Sequence, residues 1–377
     1  MIDYIQSTAS QEVPPPYQFP DVTVTAFVWE AQMAPIQAYC DRYFNLGTVE
    51  ERGFVYRPAA FWPYATLLFV DYPVMISSSR APPSQLGGLT SYSDRGVVSQ
   101  REVFVALPVM RYGATPTRLI FDTTLEWTLP FIVVDNPSSA VCGREMLGMG
   151  KLLAEIEMGE GEFPDSFRGS VQLPGWPTLE PGPPQREMLF LEASTAPTLP
   201  TFRGSPEQDS LWTLLQSREA GWFIDELVSA SDSLETLSIG LLPTTMRMVS
   251  LKQFRDAARP DRALYQALVT YRSKYSNFAN FKFYNEQNVQ LIFHNTGSFD
   301  EILRVFLQLG PEISREPFAL QPKAAYRFNA DINFDEMRTI HTFPVDRGPG
   351  LPPVPASSDL VSRLFRPWRG FFARPHP

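Results

Sequence analysis

Proline sets the firmest limit on what this chain can fold into. It occurs 36 times in 377 residues and is spread throughout. Its ring removes a backbone donor and clashes with the preceding turn, so an interior proline ends or kinks a helix. Clusters such as EVPPPYQFP (12–20), RAPPSQ (80–85) and PGWPTLEPGPP (174–184) therefore close short segments. The expectation is a strand-dominated chain with long connections. A content of 44% hydrophobic and 13% aromatic residues is ample for its core.

Residues 1–20 read as an arm, and VTVTAFVW after Asp21 alternates as a strand does. MAPIQAYCDRYFN (33–45) fits a short helix with Pro35 in its first turn. YATLLFVDYPVM (64–75) reads as a strand ended near Pro73, REVFVALPVMRYG (101–113) as another, and RLIFDTTLEWTLPFIVVDN as two more. PSSAVCGREMLG fits a helix that Gly148 and Gly150 disrupt, and LLAEIEM continues as a strand. VQLPG and REMLFLEAS each offer a strand. SLWTLLQSREAGWFIDELVSA is expected to be helical, LKQFRDAARPDRALYQALVTYRSKY to form two helices hinged near Pro260, and DEILRVFLQLG another. VQLIFHN and YRFNADINF restore β character. No internal repeat and no clean central linker stands out, so one composite α+β unit over 21–346 is preferred to two domains.

The charge balance narrows the partners. The net charge is −9 and no basic run interleaved with aromatics occurs in the body, which disfavours nucleic acid. Two cysteines, Cys40 and Cys142, suit a reducing compartment better than a disulfide framework. The start lacks the pattern of a secretory signal, and no stretch has the roughly 18 apolar residues of a membrane span. The expected location is cytoplasmic. His294, His341 and His376 form no short-spaced ligand set. There is no GxGxxG after a strand, no GxxxxGK[ST] and no GxSxG elbow, which argues against nucleotide-binding and serine-hydrolase readings.

One residue breaks the compositional pattern. The chain has five lysines against 27 arginines, and through residue 251 only Lys151 occurs, inside the small and apolar GREMLGMGKLLAEIEM. Its bland reading is a stem lying along a hydrophobic surface with its head in water. Its functional reading is a desolvated amine that attacks a carbonyl, a chemistry arginine cannot replace. Glu102 opens a strong strand, and Asp135 and Glu145 lie in the segments leading to Lys151. A carboxylate beside such an amine can move protons or orient substrate. Equally, Arg144 and Glu145 can be packing charges, and Asp135-Asn136-Pro137 can be a turn.

The stretch from Glu102 to Leu153 resembles the core of the acetoacetate decarboxylase superfamily. It reads E-VFVALPV, then VVDN, six residues and GRE, then GMGKLL. The resemblance covers about fifty residues closely and the remainder only in order. It implies an α+β, acetoacetate-decarboxylase-like fold, with a strand-dominated antiparallel or barrel-like core and peripheral helices. It implies that Lys151 is the Schiff-base lysine and Glu102 an active-site glutamate. Asp135, Asn136, Arg144 and Glu145 fall on the structural and pocket-lining motif, and Asp71 is the nearest match to a second pocket carboxylate. The implied ligand is a small keto acid or related carbonyl compound, and the chemistry requires no metal or organic cofactor.

Departures qualify the resemblance. A second lysine that follows the nucleophile in the decarboxylase is Leu152 here, the proline before it is Gly150, and no arginine precedes Arg42. Desolvation then remains the main means of making the amine nucleophilic. The expected function is a decarboxylase-like enzyme; an aldolase or dehydratase using the same lysine, and an idle binding pocket or accessory subunit, are the rivals. Residues 347–358 read as a Pro-rich connector and 359–377 as a C-terminal arm carrying Leu364, Phe365, Trp368, Phe371 and Phe372. So many apolar groups are costly when exposed, so this arm is expected to pack on its own body or on another copy in a homo-oligomer.

Overall fold

The computed structural model describes residues 13–60, 62–79, 98–115, 117–161, 166–176, 184–195, 245–284, 288–295, 299, 302–303 and 317–344. Strands dominate it. They are β1 (Tyr17–Glu30), β2 (Phe54–Pro58), β3 (Tyr64–Ser77), β4 (Val98–Thr115), β5 (Arg118–Val134), β6 (Leu152–Leu153) and β7 (Glu155–Glu160). Then follow β8 (Phe167–Gly175), β9 (Arg186–Thr195), β10 (Thr245–Arg255), β11 (Ala263–Tyr284), β12 (Val289–Phe293), β13 (Phe318–Leu320) and β14 (Ala324–Thr342). The helices among the described residues are α1 (Met33–Tyr43), α2 (Val49–Arg52) and α3 (Pro137–Glu145). None is long and apolar enough to cross a membrane.

Seven strands close on themselves in the order β4-β3-β1-β14-β11-β10-β5, with β5 pairing back to β4. β2 and β6 extend the ring from β4 and β5. Side chains alternate between its faces, as a pleated strand requires. Val24, Leu68, Val70, Tyr72, Ala106, Tyr271 and Phe328 pack inside. Phe27, Phe69, Val103, Val105 and Val133 face outward and join Val171, Leu191 and Phe293 in a second core. That core seats the five-stranded sheet β13-β12-β9-β8-β7 against the ring. The seam between β5 and β10 is weak: the two are joined in parallel at one position, Met248 opposite Trp127.

Prolines sit where the ladder is already interrupted. Pro73 lies in a register shift between Tyr72 and Met75, so β3 continues through it instead of ending there. Pro130 falls in the shift where Val105 pairs with Phe131 and Leu107 with Thr128. β5 is therefore one strand where two were expected, because a bulge leaves the missing N–H nothing to bond. The pair of helices expected around Pro260 is instead the hairpin β10–β11. Its apolar spacing suited both periods, and the β-forming run Val269-Thr270-Tyr271 together with the partner strand β14 decided the outcome. β1 begins at Tyr17, inside the segment read as an arm, since Tyr17 and Gln18 already pair with β3 and β14. The helical expectation for 210–230, most of DEILRVFLQLG, the connector 347–358 and the arm 359–377 lie outside the described residues.

Candidate active site

Glu102 and Lys151, 49 residues apart in sequence, meet in the buried interior. Glu102 projects inward from β4 and is 4% exposed; Lys151 precedes β6 and is 6% exposed. Lys151 Nζ donates to Glu102 Oε1 in a direct ion pair. It also donates to Ser139 Oγ at 3.0 Å. Glu102 Oε1 further accepts from Gln100 Nε2 at 3.1 Å and from Ser139 Oγ at 3.5 Å. A buried charge pair is tolerable only with such supporting hydrogen bonds.

The local sequence explains how a lysine is held there. Asn136 caps α3, its Oδ1 accepting from Ser139 N at 3.2 Å while its Nδ2 donates to Ser99 O at 3.0 Å. Asp135 Oδ1 accepts from Arg101 N at 2.7 Å. The Asp-Asn pair thus ties the start of α3 to β4 at Arg101 and Ser99, one and three residues before Glu102. Beyond α3 the chain doubles back, with Met149 N bonded to Gly143 O at 2.9 Å. The Lys151 stem then crosses α3 at Gly143, where a Cβ would stand 2.5 Å from Lys151 Cδ. Gly148 has φ +70 and presses its backbone onto Lys252 of β10, and Ser250 Oγ bonds Leu147 O at 2.8 Å. Two glycines in GREMLGMGK therefore fix the path of the lysine, one by yielding space and one by its left-handed backbone.

Glu102 forms part of the wall of a cavity of about 40 Å³ inside the ring, room for a few waters. Tyr72, Tyr271, Tyr275 and Tyr326 line it with Leu68, Trp127 and Met149. Burial first, then the Glu102 charge, holds the Tyr72 and Tyr271 phenols well above their ordinary value. Burial raises Tyr275 and Tyr326 too. The four are neutral groups able to donate or accept a hydrogen bond. A second cavity of about 310 Å³ includes Arg144, Gly148 and Leu152 and shares Leu129, Met149 and Tyr271 with the first. Those three side chains stand between the two spaces, beside the weak β5–β10 seam.

The remaining candidate residues scatter. Arg144 is exposed and borders the second cavity, not the Lys151–Glu102 pair. Glu145 is half-buried, and its charge acts on Lys252. Asp71 follows Val70 and precedes Tyr72, so the alternation of β3 turns it away from the interior. Sequence reading passed over Ser139 and Gln100. Gln100 was accessible in principle, because residues two apart on a strand share a face. Ser139 gave no such signal.

No family model matches the sequence, and no curated protein matches it. Solved structures do. The chain is similar in fold to acetoacetate decarboxylase. That structure, from Legionella pneumophila subsp. pneumophila str. Philadelphia 1, shares 11% identity over 88% of this chain and 89% of its own, with a TM-score of 0.48. The enduracididine biosynthesis enzyme MppR, complexed with the condensation product of pyruvate and imidazole 4-carboxaldehyde, shares 14% over 88% and 92%, also at 0.48. A further acetoacetate decarboxylase structure gives 12% over 89% and 93%, at 0.44. The likeness in trace is loose, and the chemistry rests on the site's own groups.

Proposed function

We propose that this chain is a divergent member of the acetoacetate decarboxylase superfamily, an enzyme that forms a Schiff base between Lys151 and a small keto acid and releases carbon dioxide. The observation that carries the reading is the buried Lys151 Nζ bonded to Glu102, which itself lies in the wall of an interior cavity. Glu102 takes a proton from Nζ, and the freed lone pair attacks the ketone. Loss of water leaves an iminium. The C–C bond to the carboxylate breaks, its electron pair moves onto the iminium as an enamine, and carbon dioxide departs. Protonation of the enamine carbon and hydrolysis return the amine.

Leu152 does not weaken this reading. It is 41% exposed and borders the second cavity, so a cation at that position would project away from the Lys151 amine. The side chains bonded to Nζ are Glu102 and Ser139.

Reduction with borohydride in the presence of acetoacetate tests the reading. Peptide mass should place the reduced adduct on Lys151, and carbon dioxide release should accompany turnover. An adduct without carbon dioxide would move the assignment to aldol or dehydration chemistry on the same iminium. No adduct with any keto acid would leave a binding pocket only. Glu102→Gln should fold and slow adduct formation by about 10² to 10⁴, the range for acid–base assistance.

A further inference from the structure

Forming an iminium removes two protons from a lysine ammonium and leaves one. Both end on the carbonyl oxygen, which departs as water. Glu102 contacts Nζ directly, which provides for the first proton. The second is harder to account for. Once Glu102 has accepted the first, the lone pair it uncovers lies along the nitrogen's contact with Glu102, and the substrate carbon bonds there. The nitrogen's direct approach to Glu102 is then taken up by carbon.

Ser139 lies beside both members of the pair. It is 3% exposed, sits in the first turn of the capped helix α3, and is not part of the cavity wall. Its Oγ accepts from Lys151 Nζ at 3.0 Å and reaches Glu102 Oε1 at 3.5 Å. One hydroxyl thereby uses one acceptor site and its single donor, each aimed at one member of the pair. Resting on the Schiff-base reading above, we propose that Ser139 is a further catalytic residue that relays the second proton from Nζ to Glu102. In order, protonated Glu102 gives the first proton to the substrate alkoxide. The positively charged nitrogen then passes a proton to Ser139 Oγ as the serine passes its own to Glu102 Oε1. Glu102 delivers this second proton to the hydroxyl, which leaves as water while the nitrogen lone pair closes the C=N bond. Serine and glutamate end unchanged, and no other reactant is needed.

The deciding measurement is the rate of adduct formation with acetoacetate and cyanoborohydride in wild type, Ser139→Ala and Ser139→Thr. Ser139→Ala should slow it by about 10²-fold, the lower range for proton-transfer assistance, in a protein that still unfolds cooperatively. Ser139→Thr, which keeps the hydroxyl, should recover most of the rate. The wild-type rate in mixtures of light and heavy water should curve with deuterium fraction, as two moving protons require, and Ser139→Ala should straighten it. A Ser139→Ala protein that reacts as fast as wild type overturns the relay, as does a Ser139→Thr protein as slow as the alanine variant. Should wild type itself form no adduct, the Schiff-base reading fails and the relay falls with it, an outcome distinct from a reactive wild type indifferent to Ser139.

Discussion

At the scale of single residues, the lysine is held as much by an absent side chain as by its partners. A Cβ at Gly143 would stand 2.5 Å from Cδ and 2.6 Å from Cε of Lys151, the stem and not the mobile tip. Gly143→Ala is therefore expected to displace Nζ from Glu102 and suppress adduct formation at least tenfold. In a Lys151→Ala background the same change should be neutral or mildly stabilising, since alanine is favoured over glycine in a helix by about 0.8–1.0 kcal/mol. Denaturant unfolding of the four proteins would show this; equal costs in both backgrounds would mean that Gly143 serves something other than the lysine. Lys151 and Glu102 were visible in the sequence because a scarce residue type and a spaced motif agreed. Ser139 was not, because its relevance depends on which face of α3 turns toward β4. Asp71 was only the nearest candidate for a second pocket carboxylate, and the alternation of β3 turns it away from the interior.

Elements show which local signals survived packing. Alternation placed β1 and β-forming runs placed β3, β4 and part of β14, while PSSAVCGREMLG was legible as the helix α3. The β10–β11 hairpin was misread because its apolar spacing satisfies a helix as well as a strand, and its β-forming run together with the partner β14 decides between them. The loop from Met146 to Lys151 depends on β10 in turn. Gly148→Ala combines a left-handed backbone, which costs a non-glycine residue about 1–2 kcal/mol, with a Cβ 2.8 Å from the backbone nitrogen of Lys252. We expect a loss of stability at or above that range in denaturant titrations and a slower adduct reaction. Glu126 on β5 offers a pH test independent of the site. It is fully buried, accepting from Tyr56 OH at 2.5 Å and from Arg111 Nε at 3.3 Å. Burial pushes its carboxyl above the ordinary 4.5, against the opposing pull of Tyr56, Arg111 and Arg247. The native state then holds that proton more tightly than the unfolded chain. The associated stability is present below about 4.5 and is lost as pH rises through the native value. Unfolding midpoints of Glu126→Gln, which cannot titrate, should gain on wild type as pH is raised from 4.5. A difference that stays constant with pH would count against this account.

At the scale of the molecule, the ring closes through its most distant parts in sequence. Tyr17 pairs with Phe334 and Val24 with Phe328, more than 300 residues away in the chain. A polypeptide emerging N-terminus first must therefore keep β1 without its β14 neighbour until more than 300 further residues have been made. Loop closure over such separations is slow, so refolding is expected at or beyond the millisecond-to-second range of proteins rich in non-local pairing. During that interval β1 and β11 present open edges able to recruit other chains. Pulse-labelled hydrogen exchange should find amides of β1 facing β14 among the last to gain protection, together with those of β14 itself. A chain ending before Ala324 should aggregate even though the Lys151–Glu102 region is intact in it. The cavity is thus the product of a late event, and any cell that makes this protein has to shelter an unfinished barrel until β14 arrives.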